Sequence, residues 1–447
     1  MTNLFVNQKM YSVIILLVVS AFHISAQQKV SFDYLKETRV PEDIKYNIAT
    51  LDADGAIQPK IQIFPKKVVF YNDQGKVIQT KEYAQFITAI PSSKHNYLQI
   101  VRTTEGIETK QDKGTSEIEL FSGDGKSIWR KSRQIYYEGR ESRFVISDQG
   151  KSVEQRRGNQ FIFYDKAGEK INEHVFHEGT YLDPALTDLK FSDDGNFVLL
   201  KINLPSEGMS GAASENDRRT RRENNQSTAA STIEAGSAEL TLFDSDGNQQ
   251  WQFLPKNRRL GQAFSSPENK YIVISGGNNG SGNSSATTYI LDRKTGEIKW
   301  EHPGINAAST RFYKHLDSEY VLIKSSRSAG IINMTNGDLK RLYSVSKKEE
   351  GILGTAISPS LGLIALAKTY LEWTEKDGRK YPSYRESSLL FYDLSGKMLS
   401  QEPIYDDYLE NLEGSFTEKM FFSDKDKELI IYSTNLKSYK HYELHID

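Results

Sequence analysis

The chain has 447 residues, of which 26% are charged, with a net charge of -2 at pH 7 and no cysteine. This near-neutral balance gives no indication of a nucleic-acid-binding surface, and we expect no nucleic-acid partner. Without cysteine the chain forms no disulfide and carries no lipid-modified cysteine, so its stability has to come from its core alone.

Residues 1–26 have the order of a secretory signal peptide. Lys9 precedes the apolar run MYSVIILLVVSAF, and HISA follows before QQK. The run is shorter than the roughly 20 residues that a membrane-spanning helix needs, which favours cleavage between Ala26 and Gln27 over a retained anchor. The mature chain, residues 27–447, is predicted to be exported to the periplasm or secreted, with no transmembrane segment.

Seven hairpins of similar sequence follow, each with an apolar strand, a polar turn that closes on glycine, and a second strand. Glycine suits this position because it adopts the positive φ that closes the turn, and Asp at the turn entry accepts hydrogen bonds from the turn backbone. The turn glycines are Gly75, Gly125, Gly168, Gly247, Gly296, Gly337 and Gly396, and the entry aspartates are Asp165, Asp244, Asp292 and Asp393.

Tryptophan recurs at one position of these hairpins, four residues after the glycine. Trp129, Trp251 and Trp300 occupy it in three of the seven. Their repetition at one position predicts that they pack in the same interior layer of each repeat and do not stack on a ligand.

A second hairpin lies between successive members of the first series, as in LKFSDDGNFVLLKI and AFSSPENKYIVISG. Each unit therefore has four short antiparallel strands, A to D, with a period of about 45 residues and no helical pattern, which is typical of β-propeller blades. A lone final strand, YKHYELHI, needs a partner, and KVSFDYL near the N-terminus is the candidate. We predict an all-β propeller with eight blades, or seven if the N-terminal segment is only a cap.

The repeats LDRKTGEIKW and LFDSDGNQQW resemble those of the quinoprotein-like (PQQ-like) propeller family, and FSSPENKYIVIS resembles TolB and WD40-like units. The resemblance covers nearly all of the mature chain. It implies a propeller architecture but no single function, because such propellers act as dehydrogenases, scaffolds and binding platforms.

Three insertions break the period, and each lies between strands B and C of its blade. Residues 204–238 are polar and predicted to be disordered, residues 276–285 (GGNNGSGNSS) read as a flexible loop, and residues 369–387 form a third loop. The third differs in composition, because Trp373, Tyr381, Tyr384 and Arg385 are residue types typical of interface hot spots. These four are the candidate partner-binding residues, although packing of the loop on its own blade is the alternative.

No motif for catalysis, cofactor or metal is evident. His174 and His177 are three residues apart on a predicted strand and point to opposite faces, whereas His441 and His445 share a face without a third ligand. In the PQQ-like family, quinone-dependent enzymes commonly stack a disulfide on the cofactor, which a chain without cysteine cannot form. We therefore expect no catalytic, cofactor-binding or metal-binding residues.

The leading hypothesis is an exported, non-enzymatic platform in the cell envelope, acting as a monomer that binds a protein or glycan on the face carrying the B–C insertions. The alternative is an enzyme with a central-channel site, either a divergent quinoprotein-like dehydrogenase or a lyase. Clustered carboxylates, Arg and His among the channel-facing side chains would favour the enzyme, and a plug of apolar and small residues would favour the platform.

Overall fold

The computed structural model describes residues 30–39, 46–51, 57–105, 113–136, 142–156, 158–177, 182, 187–204, 237–255, 259–277, 286–346, 350–376, 379–404, 420–423, 427–433 and 438–446. These residues form β-strands joined by turns, and no helix occurs among them. The proposed signal peptide, its cleavage site and most of the first two insertions lie outside the described residues.

Every strand belongs to one of eight four-stranded antiparallel sheets. The chain divides into two compact units, a larger one, Arg39–Ile352, and a smaller one, Met1–Thr38 with Leu353–Asp447.

The larger unit contains six sheets, in each of which the strands follow chain order. Their strands are β2 (Tyr46–Leu51), β3 (Ile57–Phe64), β4 (Lys67–Tyr71) and β5 (Val77–Glu82); β6 (Thr88–Pro91), β7 (Tyr97–Glu105), β8 (Lys113–Ser122) and β9 (Ser127–Tyr136); β10 (Arg143–Ile146), β11 (Ser152–Arg156), β12 (Gln160–Tyr164) and β13 (Lys170–Val175); β14 (Thr187–Phe191), β15 (Phe197–Asn203), β16 (Ala238–Asp244) and β17 (Gln249–Phe253); β18 (Arg259–Ser265), β19 (Tyr271–Gly277), β20 (Thr287–Asp292) and β21 (Ile298–Pro303); and β22 (Ser309–His315), β23 (Ser318–Lys324), β24 (Ser328–Asn333) and β25 (Leu339–Ser344).

Two sheets belong to the smaller unit, although the boundary between the units falls within β26. One has β26 (Glu350–Ser358), β27 (Leu363–Lys376), β28 (Arg379–Asp393) and β29 (Met398–Ile404) in chain order. The other has the order β1, β32, β31, β30, formed by β1 (Val30–Arg39), β30 (Met420–Ser423), β31 (Glu428–Ser433) and β32 (Ser438–Ile446).

The first and last strands of the chain pair as the sequence predicts. β1 pairs with β32 and is the fourth strand of the last sheet, beside β32, β31 and β30. Val30 is fully buried there, and its carbonyl accepts a hydrogen bond of 2.6 Å from Ser400 Oγ. The structure thus confirms eight four-stranded blades over seven.

The predicted turn chemistry is also confirmed. All seven turn glycines have positive φ, between 69° at Gly75 and 86° at Gly125 and Gly247. The entry aspartate caps its own turn, since Asp244 Oδ1 accepts hydrogen bonds of 2.9 Å from the backbone NH groups of Asp246 and Asn248. These contacts lie within one hairpin, so local sequence is enough to specify them.

Apolar side chains from neighbouring sheets form the core. Phe70 and Phe121, from the first two sheets of the larger unit, are fully buried with ring centroids 5.7 Å apart. Phe163 and Phe243 make the same kind of contact between the third and fourth sheets, at 5.4 Å. In these two pairs, neighbouring sheets of the larger unit are held together by large side chains of their third strands.

The recurring tryptophans occupy equivalent positions, as predicted, but they are not fully buried. Trp129, Trp251 and Trp300 are half-buried on the fourth strands of their sheets, and Trp251 and Trp300 pack against buried core residues. Each indole also covers the turn glycine of the following sheet, and a Cβ added at Gly296 would lie 2.6 Å from the ring of Trp251. The physical reason is the polar indole NH, which needs an acceptor and finds it in a turn carbonyl: Trp251 Nε1 donates to Arg293 O at 2.7 Å.

Candidate partner-binding hairpin

Residues 369–387, predicted as a loop, form an extension of two paired strands. β27 and β28 remain in register as far as the pair Lys376 and Arg379, whereas β29 pairs with β28 only from Ser387 onward. The segment is a strand pair because aromatic and β-branched residues recur along it and because Asp377–Gly378, a dipeptide that favours two-residue hairpin turns, separates the last pair. We call residues 370–386 the extended hairpin.

The extended hairpin grows from a buried base. Ser387 and Thr369 are both buried, and Ser387 Oγ donates a hydrogen bond of 3.1 Å to Thr369 Oγ1. The next residues inward, Ala367 and Leu389, belong to the core of the smaller unit. The strand from Tyr370 to Lys376 spans about 23 Å at the usual rise of a strand. The base is thus fixed by packing, and the extension continues from it.

The strand register separates the four candidate residues into two pairs. Tyr370 is opposite Arg385, Leu371 opposite Tyr384, Trp373 opposite Pro382 and Thr374 opposite Tyr381. Since successive strand residues belong to opposite faces, Trp373 and Tyr384 have positions on one face, and Tyr381 and Arg385 on the other. The four residues, which the sequence suggests as one candidate surface, therefore have positions on two faces of the hairpin.

The other two insertions also join the second and third strands of their sheets, as predicted. Residues 204–238 connect β15 to β16, and residues 276–285 connect β19 to β20. Hydrogen bonds fix the base of the longer one: Asn203 donates to Leu260 O and accepts from Leu260 N, both at 2.9 Å. Beside it the buried pair His177 and Glu239 is joined at 3.1 Å, a contact that the sequence pattern did not reveal.

The opposite ends of the sheets carry short turns that are joined to one another by backbone hydrogen bonds. In four sheets a backbone NH at the C–D turn donates to a carbonyl at the A–B turn, at 2.7 to 3.0 Å; the donors are Gly123, Ser245, Arg293 and Met334, and the acceptors are Asn96, Asn196, Lys270 and Glu319. Such bonds leave little freedom for a turn to adapt to a partner. In these four sheets the turns at this end are held by backbone hydrogen bonds, whereas the three insertions lie at the B–C end.

Asp148 illustrates how turns of neighbouring sheets are joined. Its carboxylate accepts hydrogen bonds from Ser92 Oγ, Ser93 Oγ and the backbone NH of Lys94, at 2.5 to 3.0 Å. Burial raises the pKa of Asp148, but these hydrogen bonds lower it by more, so the pKa lies below its ordinary value. The carboxylate therefore links two turns, and both of its oxygens already accept hydrogen bonds.

A shallow cleft of about 420 Å³ lies at the turn end of the first two sheets of the larger unit. Two of its polar lining residues already accept hydrogen bonds within the protein. Asn72 Oδ1 accepts them from backbone NH groups of its own turn, and Asp124 accepts one from Ser122. Lys60 and Asp73 also line it. We do not assign a ligand to this cleft.

Three histidines among the described residues each lie against a separate polar partner. His174 Nε2 lies 2.6 Å from Gly247 O, His441 Nδ1 lies 2.8 Å from Glu428, and His445 Nε2 lies 3.0 Å from Asp33. Within the part of the chain that the structure describes, no group of three or more potential metal ligands is present. In the same part, no helix has the length and hydropathy needed to cross a membrane.

Comparisons with known proteins return similar folds but no relative in sequence. No protein-family model matches the chain, and no curated protein matches its sequence. Among solved structures, BamB from Moraxella catarrhalis is 11% identical with a TM-score of 0.46, over 92% of this chain and 100% of that one. The C-terminal WD40 domain of Sif2 is 9% identical with a TM-score of 0.48, over 92% and 98%, and the Dos1 propeller is 12% identical with a TM-score of 0.45, over 92% and 95%.

At these identities, and with TM-scores below 0.5, the likenesses carry no conclusion about the role of this chain. The fold itself is evident from the eight four-stranded antiparallel sheets, the glycine-closed hairpin of each repeat and the pairing of the first strand with the last. These are the features of repeats that form propeller blades. The chain is therefore an all-β protein of eight four-stranded antiparallel blades, as in a β-propeller.

Proposed function

We propose that the chain is an exported, non-enzymatic scaffold of the cell envelope that binds a protein partner through the extended hairpin. The observation that carries this proposal is the hairpin itself, two strands that continue past their sheet from a buried base. Its sequence supplies Trp373, Tyr381, Tyr384 and Arg385, which are residue types that dominate binding energy at interfaces.

The backbone of the hairpin favours a polypeptide over a glycan. Among the described residues, β28 pairs with no strand other than β27 from Arg379 to Glu386. An open strand edge presents unpaired NH and C=O groups that an extended peptide can satisfy by adding a further strand. The eight charged residues of the extended hairpin, four acidic and four basic, leave it without net charge, so we expect hydrogen bonds and aromatic contacts to dominate.

Photo-crosslinking in the exported fraction tests this proposal. A crosslinking amino acid at Glu375, which is exposed on β27, is compared with one at Lys294, exposed in the turn between β20 and β21. We expect a discrete protein adduct at position 375 and none at 294. Equal adducts at both positions, or hairpin-dependent retention on envelope polysaccharide without a protein adduct, would overturn the protein-binding role.

Export is tested on the same material by N-terminal sequencing. The order of Lys9, the apolar run and the small residues before Gln27 supports cleavage after Ala26. The expected N-terminus, Gln27, leaves β1 intact in the mature chain because that strand begins at Val30. An intact Met1 in the membrane fraction would contradict cleavage and export of the free chain.

A further inference from the structure

Three cationic side chains meet on inner strands of the larger unit. Lys190 lies on β14, Lys201 on β15 and Arg143 on β10, and the first strands of neighbouring sheets, β6, β10 and β14, approach one another. Asp188 is directly opposite Lys201 in the register, and Lys190 lies two residues beyond Asp188 on the same side of the sheet. Lys190 and Lys201 are thus diagonal cross-strand neighbours.

Arg143 joins this pair from the adjacent sheet. Its Nη2 lies 3.8 Å from Asp188 Oδ1, and its Nη1 donates to Thr187 O at 3.3 Å. These contacts fix the guanidinium beside Asp188 while Arg143 remains 41% exposed in its side chain. Four side chains, Arg143, Asp188, Lys190 and Lys201, therefore form one cluster with two net positive charges when both lysines are protonated.

The lysines of the cluster lack a described acceptor. Lys190 Nζ lies over the ring of Phe264, 4.4 Å from its centroid, and no described residue accepts a hydrogen bond from Lys190 or Lys201. Both lysine residues are half-buried, so their ammonium groups remain within reach of solvent and of a bound ligand. The cluster is thus a set of donors without matching acceptors.

The electrostatics agree with this geometry. Burial lowers the pKa of Lys190, and the neighbouring Lys201 lowers it further, although Asp188 and Asp193 act in the opposite direction. Burial also lowers the pKa of Lys201, with Arg143 adding to the effect and Asp188 opposing it. An anion bound between these side chains would relieve the repulsion and stabilise the protonated lysines.

We propose that Arg143, Lys190 and Lys201 form a binding site for a small, doubly charged oxyanion, either hydrogen phosphate or a dicarboxylate. Arg143 supplies a planar guanidinium that suits two oxygens of one ligand, and the two ammonium groups supply further donors. Asp188 contacts Arg143, and Asp188 and Asp193 together offset part of the positive charge of the three cations. The site lies on inner strands and is independent of the extended hairpin.

Titration calorimetry with the full mature chain tests the site, using inorganic phosphate and succinate as probes at matched ionic strength. The variants Lys190→Met and Lys201→Met remove one donor each while keeping an apolar chain of similar length. The control is Lys166→Met, because Lys166 also lies over an aromatic ring, that of Tyr97 at 5.3 Å, but is exposed at a turn.

We expect one of the two probes to bind the wild-type chain and its affinity to fall at least about tenfold in both cluster variants, equivalent to about 1.4 kcal/mol. The control should bind as the wild type does. The stronger probe identifies phosphate or dicarboxylate as the ligand chemistry. The proposal is overturned if neither probe binds, or if all three variants bind equally.

A second measurement uses the unmutated protein, so that it does not depend on the folding of a variant. Lysines are acetylated with acetic anhydride near neutral pH, and labelling of each lysine is followed by peptide mass spectrometry. Bound anion should slow the labelling of Lys190 and Lys201 by several-fold and leave Lys166 unchanged. Labelling that does not respond to either probe would contradict the site.

Discussion

At the scale of single residues, this fold depends on contacts between a turn and the fourth strand of the preceding sheet. Trp251 covers Gly296, Trp129 covers Gly168 and Trp300 covers Gly337. Other residue types replace the indole at the same position of other repeats: Asn172 Nδ2 donates to Gly247 O at 3.1 Å, and Ser400 donates to Val30 O. A polar group that reaches a neighbouring carbonyl is the shared feature.

This contact adds a second constraint on the covered turn glycines. Their positive φ favours glycine, and the adjacent indole leaves no room for a Cβ. Gly296→Ala should destabilise the chain by about 2 to 5 kcal/mol, since alanine strains at its φ of 74° and its Cβ overlaps Trp251. In a Trp251→Ala background only the backbone strain remains, so the cost should fall to about 1 to 2 kcal/mol. Urea denaturation of the four chains of the double-mutant cycle measures both values.

Gly362→Ala is the matched control for this cycle. Gly362 has a φ of 69°, but a Cβ added there meets nothing within 4 Å. Its substitution should therefore cost only the strain of about 1 to 2 kcal/mol. If Gly296→Ala costs the same with and without Trp251, the indole is not packed on that turn.

At the scale of elements, the extended hairpin departs from the four-strand repeat because β27 and β28 continue beyond β29. Its register places the four candidate residues on two faces. Trp373 and Tyr384 have positions on one face and Tyr381 and Arg385 on the other. A rigid partner that contacts one face engages one pair only. The face with Trp373 and Tyr384 offers two aromatic residues at diagonal positions, and both are residue types that are enriched at interface hot spots.

The double variant Trp373→Ala/Tyr384→Ala should therefore weaken partner binding by about 2 kcal/mol or more, whereas Tyr381→Ala/Arg385→Ala should have a smaller effect. Both should leave the melting temperature near that of the wild type, because the four positions lie beyond the buried base of the hairpin and changes outside a core usually alter stability by within about 0.5 kcal/mol. Affinity for the crosslinked partner and thermal melting are measured in parallel. Lower stability with intact binding would show that these residues pack the hairpin and that the site lies elsewhere.

At the scale of the whole molecule, the two ends of the chain meet in one sheet. β1 pairs with β32, and Phe32 packs edge-on against Tyr442 with ring centroids 5.5 Å apart. The last sheet would otherwise have only three strands. Pairing over nearly the full length of the sequence makes the N-terminal strand part of the core of the smaller unit.

Val30→Asp tests the contribution of this strand. Val30 is fully buried, so a carboxylate there should destabilise the chain by about 3 kcal/mol or more. Leu35→Asp is the control on the same strand, because Leu35 is 47% exposed and its change should cost about 0.5 kcal/mol or less. Denaturation midpoints in urea measure both. Equal effects of the two substitutions would mean that β1 does not pack as described.

The sequence by itself determined the features that depend on short stretches of chain. The glycine-closed hairpins, the capping aspartates and the four-strand unit follow from contacts between residues a few positions apart, and Asp244 or Gly296 can be recognised from its neighbours. The number of strands then required a partner for YKHYELHI, which led to β1. Local pairing and strand counting were sufficient for the fold class and the number of blades.

Only the tertiary structure decided which distant residues meet. Glu154 looks like an ordinary alternating polar residue in SVEQRR, yet it is fully buried and paired with Arg133 and Arg156. Arg143, Lys190 and Lys201 likewise carry no motif, and the extended hairpin looked like a loop until its register was known. The physical reason is that strand periodicity specifies which residues alternate, whereas packing between sheets specifies which of them face each other.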